Sequence, residues 1–110
     1  MCYNFFMNYI LILCTINDIE KAKEISNFLL KGNLIACANI IPNLTSMYIW
    51  QGKICEDAEY LMVLKSRNDK FEEIKTKITD LHPYEVAEII SIDIKDGNKP
   101  YLNWLDSCLK

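Results

Sequence analysis

Apolar positions along this chain fall into runs of distinct period. Ile10-Leu11-Ile12-Leu13 is short and continuously apolar, the pattern of a buried central strand. Ile19, Ala22, Ile25 and Leu29 then recur at helical spacing, behind an Asn17 and Glu20 that read as a capping box. Gly32-Asn33 supplies the stop. From Leu34 to Ser66 the pattern is that of one long β-hairpin, turning at Gln51-Gly52-Lys53. Pro42 sits inside its first arm; proline cannot donate to a ladder, so the arm bulges, bends or runs along an edge there. Tyr60-Leu61-Met62-Val63-Leu64 in the return arm suggests burial on both faces near mid-sheet. Asn68-Asp69 opens a second helix, with Glu72 placed for a capping box from Asp69 and with Phe71, Ile74, Ile78 and Leu81 on one face. That helix ends at His82-Pro83, because the residue before proline disfavours the helical region. Glu88 to Ile94 predicts a fourth strand and Lys95 to Asn98 a turn. Pro100 falls in the first turn of a short last helix lined by Tyr101, Leu105, Cys108 and Leu109.

The resulting order is β-α-β-β-α-β plus a C-terminal helix, an α+β arrangement of the ferredoxin-like, split βαβ type. Residues 8–110 form a single domain on this reading, and residues 1–7 an extension that precedes it. The pattern implies one antiparallel sheet with its helices on one face. The arm from Asn39 to Trp50 would span about 40 Å at the usual strand rise. A globule of this length is only about 35 Å across. The hairpin therefore overhangs its own domain, and its aromatic and β-branched side chains need another surface. The sheet face without helices needs covering too. Both features point to self-association.

Composition narrows the function without naming it. A formal net charge of −3 leaves no basic stripe for phosphates, which argues against a nucleic-acid-binding domain. Cys2, Cys14, Cys37, Cys55 and Cys108 are odd in number and widely spaced, with no C-x-x-C, so free thiols in a reducing compartment are expected. The apolar stretch from Phe5 to Ile16 is too short to span a bilayer and lacks the features of a secretory signal. The expected location is cytoplasmic, with organelle targeting by Met1 to Met7 left open. No G-x-S-x-G, P-loop or G-x-G-x-x-G occurs, and His82 is the sole histidine, so an enzyme is not expected.

Several segments carry a shared signature: Leu13-Cys14-Thr15, Ala36-Cys37-Ala38-Asn39-Ile40-Ile41-Pro42 and Ser46-Met47-Tyr48-Ile49-Trp50-Gln51-Gly52-Lys53. Leu64-Lys65-Ser66, His82-Pro83-Tyr84 with Glu88, and Tyr101-Leu102-Asn103-Trp104-Leu105 continue it. Together they resemble the CutA family of divalent-cation tolerance proteins across nearly the whole span from Tyr9 to Leu109. The resemblance implies a ferredoxin-like subunit in a homotrimer, kin in fold to the PII signalling proteins, with a role in the response to metal ions. No cofactor is required; copper or another divalent cation is the ion the resemblance suggests. Its ligands would be Cys14 and His82, thiolate and imidazole being donor types that suit copper. A second histidine, frequent in the family just before H-P-Y, is replaced here by Leu81. The plainer reading makes Cys14 a core thiol and His82 a helix-end cap.

Glu59, Lys65, Tyr84 and Glu88 form a second candidate group, which the resemblance places around clefts between subunits. They read either as a small-ligand or anion site, in the manner of PII proteins, or as interface ion pairs. Trp50, Trp104 and Tyr48 are expected to anchor the trimer. A third reading is a non-catalytic assembly scaffold, whose partner would be sought at Met1 to Met7.

Overall fold

A computed structural model describes residues 8–110; the expected extension over residues 1–7 lies outside the described residues. The element order matches the sequence reading: β1 (Tyr9–Ile16), α1 (Ile19–Lys31), β2 (Cys37–Trp50), β3 (Lys53–Arg67), α2 (Phe71–Leu81), β4 (Ile90–Asp93) and α3 (Lys99–Ser107). The sheet runs β2-β3-β1-β4 with every neighbouring pair antiparallel. β1 and β2 are therefore parallel strands split by β3, the ferredoxin-like arrangement.

Burial along β1 alternates strictly. Ile10, Ile12, Cys14 and Ile16 face α1 and α2 and meet Met62, Leu64, Ile25, Leu29, Ile74 and Ile78 in the main core. Leu11 and Leu13, like Leu61 and Val63 on β3, turn to the opposite face and are half-buried. The central strands are thus apolar on both sides but sealed on one. α3 does not join the other helices. It seats Leu105 and Leu109 against Ala36 and Tyr9 in a second, small core, and its Asp106 accepts from Arg67 at 2.7 Å. Tyr9 and Arg67 are a register pair on the face away from α1 and α2. The expectation that all helices share one face is corrected accordingly: α3 covers one end of the second face. Ile41, Ile90 and Ile92 remain about half exposed on the rest of it.

The hairpin does overhang. β1 stops pairing with β3 at Tyr60, so among the described residues 44–59 of β2 and β3 pair only with each other. The described residues extend 51 × 25 × 23 Å, with a radius of gyration of 15.0 Å, against about 13 Å for a compact chain of this size. Pro42 behaves as proline in a strand must. The register slips between Ile41 and Leu44, where Pro42 and Asn43 oppose Tyr60 alone, and Asn43 adopts a positive φ of 62°. Gln51 and Gly52, both at positive φ, close the hairpin with the twist of a type I′ turn.

Three local expectations change. Asp18, not Asn17, caps α1, its carboxylate accepting from the N–H of Glu20 at 2.9 Å and of Lys21 at 3.2 Å. The second helix begins with a 3-10 turn over Asn68–Lys70 and has no side-chain cap; Asp69 is turned instead onto Arg67. The fourth strand is shorter than Glu88 to Ile94: its register pairs with β1 run from Ile90 to Asp93, with the Ile94 N–H donating once more to the Tyr9 carbonyl at 2.9 Å.

Candidate functional site

The overhang and the segment after α2 enclose a cavity of about 520 Å³. Its floor is the end of β1, at Thr15 and Asn17. One wall is the hairpin, carrying Ser46, Tyr48, Trp50, Asp57 and Glu59, and the other is the segment with Tyr84, Glu85, Val86 and Glu88. The strand period explains the hairpin wall. Ser46, Tyr48 and Trp50 on β2 and Asp57 and Glu59 on β3 fall two apart, so they share a face. Ile49 and Ile54 fall on the other side of the tip, exposed by 74% and 76%, while Met47, exposed by 67%, also borders the cavity.

Two tyrosines hold the carboxylates of the hairpin wall. The Tyr84 hydroxyl donates to Glu59, which is itself buried, and the Tyr48 hydroxyl donates to Asp57. Hydrogen bonding to Asp57, more than any other cause, pushes the Tyr48 phenol up to about 12. Burial first, and then the bond to Glu59, raises Tyr84 further above the usual phenol range. Both hydroxyls stay protonated and serve as donors. Among the described residues no lysine, arginine or histidine lines the cavity, while four carboxylates do.

Glu59, Tyr84 and Glu88 are thus brought together, with Trp50 and Tyr48 on the same wall. Lys65 is not with them. It lies beside α3, its ammonium 5.7 Å from the centre of the Tyr101 ring, and Tyr101 stacks obliquely on Trp104 at 5.4 Å. Lys65 and Trp50 stand at opposite ends of the hairpin, roughly 40 Å of strand apart. Within one chain Lys65 therefore stands apart from the other three, and the cavity lining carries only the acidic residues among them, with Tyr84. Asp57 and Glu85 were missed. Asp57 was legible, two residues before Glu59 on the same strand face; Glu85 lies in an aperiodic segment, where spacing carries no orientation.

Cys14 and His82 both adjoin Thr15. His82 is buried, with Nε2 2.9 Å from the Thr15 carbonyl and Nδ1 accepting the Tyr84 N–H at 3.1 Å. The tautomer protonated at Nε2 satisfies both bonds, which leaves no ring lone pair for a metal. Cys14 is fully buried, and burial, followed by the charges of Glu88 and Glu59, pushes its thiol up to about 12. Copper binding needs a thiolate and a free imidazole nitrogen. Ligation by this pair would therefore displace the thiol proton of Cys14 and the Tyr84 N–H from His82; among the described residues no group of three or more His, Cys, Asp or Glu is placed to hold a metal ion. His82 acts as a clasp between the end of α2 and β1.

Fold and site together define a ferredoxin-like α+β protein whose projecting hairpin walls an acidic, aromatic cavity. The chain belongs to the CutA1 divalent ion tolerance protein family, whose model matches residues 10–108. It is 47% identical over 96 residues to the divalent-cation tolerance protein CutA of Pyrococcus horikoshii, covering 87% of this chain and 93% of that one. The structure of the CutA1 protein of Thermus thermophilus superposes with a TM-score of 0.90 at 39% identity, over 93% of this chain and 99% of that one. A CutA of Archaeoglobus fulgidus, described as periplasmic, gives a TM-score of 0.90 at 34% identity, over 93% and 99% of the two chains. The chain spans 56% of the length of the Protein CutA homolog of Xenopus laevis and 49% of the mouse Protein CutA. No helix among the described residues is long and apolar enough to cross a membrane.

Proposed function

We propose that the protein acts in divalent-cation tolerance as a non-enzymatic homotrimer. The observation that carries the trimer is the unsupported hairpin. Its tip leaves Met47, Ile49 and Ile54 in water, and the second sheet face leaves Ile41, Ile90 and Ile92 half exposed. A ring of three joins unlike patches, so the tip of one copy meets a different surface on the next and the ring closes. Trp50 and Trp104, at opposite ends of the molecule, fit two sides of such a contact. The free thiols Cys14, Cys37, Cys55 and Cys108 suit a reducing, cytoplasmic setting.

Copper ligation by Cys14 and His82 would require His82 to release Tyr84 and Cys14 to lose its proton, so the resting arrangement supports weak binding at most. The anion-sensor alternative has less support, since among the described residues the cavity lining carries no cationic side chain. Sedimentation velocity at micromolar concentration tests the assembly: a trimer is expected, and a folded single-chain species overturns the reading. Titration with Cu(I) and Cu(II) tests the metal site. Undiminished binding by Cys14→Ala and His82→Ala removes those residues from it.

A further inference from the structure

We infer that α3 is a strap: it lifts from the second sheet face as one unit, turning on residues 94–98, while the main core stays shut, and its seating gates assembly. The main core owes nothing to α3. All of its buried residues lie between Ile10 and Ile78, and the partly buried ones packed on them reach only to Ile89. The strap and the residues just after it bury two side chains, Leu105 and Leu109, in a separate cluster with Ala36. Two ties supplement that cluster. Arg67 Nη1 donates to Asp106 at 2.7 Å, its guanidinium already oriented by Asp69. Asn33, in the left-handed region at a φ of 59°, accepts the Lys110 N–H on its carbonyl and donates its side-chain amide to the Cys108 carbonyl, both at 3.2 Å. The start of α3 has no side-chain cap, and residues 94–98 before it are mostly exposed and without regular structure. Its nine residues are fewer than the roughly twelve that hold a helix unaided in water. It is therefore helical while docked and melts on release, which makes the opening one cooperative step. Tyr101 and Trp104 ride on its outer side, so a raised strap withdraws both from the second face. Seating and assembly are then reciprocal: a neighbour packed on Trp104 holds the strap down, and a raised strap weakens the neighbour's hold. The gating rests on the assembly proposed above; the separate opening does not.

Hydrogen exchange of the full chain, read by mass spectrometry, is the test. Ile74→Val loosens the main core from within α2 and should speed exchange in β1 about three- to tenfold. α3 should keep its rate in that variant, because the open and closed states of the strap carry the same loss. Asp106→Asn weakens one tie and should speed exchange in α3 about three- to tenfold. Equal acceleration of β1 and α3 by Ile74→Val overturns the strap, since both would then open only by unfolding. An α3 that exchanges at the parent rate in Asp106→Asn overturns it as well. Sedimentation of the same samples judges the gating. A parent trimer with Asp106→Asn shifted toward single chains is expected, and equal assembly of the two overturns the gating alone. A parent that sediments as a single chain defeats the assembly itself and the gating with it, while the exchange rates judge the strap independently.

Discussion

Glu59 keeps only 6% of its surface exposed, and the Tyr84 hydroxyl is its side-chain partner. Removing that hydroxyl in Tyr84→Phe leaves a buried carboxylate short of a donor, at a cost of about 1–3 kcal/mol. Urea denaturation should show the loss, and an unchanged midpoint would mean that the bond contributes nothing. Ser26 presents the reverse case. Its hydroxyl is buried in α1 without a hydrogen-bond partner among the described residues, so Ser26→Ala should stabilise the protein by about 1 kcal/mol, read as a higher urea midpoint. Asp69 sets a pH dependence. The Arg67 hydrogen bond holds its carboxyl below the usual range. The stability this brings is complete above the unfolded value, near 3.9, and is lost as pH falls through the depressed folded value. Asp69→Asn should therefore flatten the acid limb of the stability curve below about pH 4. Identical limbs would contradict the coupling.

Among the elements, the hairpin turn is the most exposed to a simple test. Gln51 holds a φ of 52° without being glycine, and Gly52 holds 78°. Asn-Gly is the preferred pair for such a turn, so Gln51→Asn should raise the melting temperature. Gly52→Val should lower it, since a β-branched residue in the left-handed region costs about 1–2 kcal/mol. These elements differ in how much of them the sequence disclosed. The bulge at Pro42 was legible because a residue without an N–H has few places in a ladder. The α1 cap was not, because Asn17 and Asp18 are both good caps and only the backbone turn selects Asp18. The second helix lost its expected cap to Arg67, a competitor from the preceding strand that local spacing does not reveal. β4 was overextended because alternation persists in the sequence through Glu88 and Ile89, where the segment leaves the ladder although β1 itself runs on to Ile16.

For the whole molecule, length alone disclosed the overhang: strand arithmetic exceeded the width of a globule, and the 51 Å long axis agrees. The composition of the cavity was less accessible. Strand period places Asp57 beside Glu59, but nothing in the sequence says that the segment of Glu85 and Glu88 folds back across the hairpin, or that Lys65 is carried to the far end by the same strand. The surface left by this geometry yields a prediction of its own. Ile54→Lys places a charge on the exposed apolar side of the tip and should shift sedimentation toward single chains, with a weakening of at least about tenfold if the tip is a buried hot spot. No change in assembly would move the contact elsewhere on the molecule.

The slip at Pro42 and Asn43 also bears on solubility. β2 is the outermost strand, and a straight outer strand of fourteen residues would be an open template for cross-β stacking. One missing amide and one left-handed residue divide that template into two short, misaligned pieces. Restoring a straight strand there, by replacing Pro42 and deleting Asn43, would remove the gatekeeper, and fibril growth followed by thioflavin fluorescence would be the visible result.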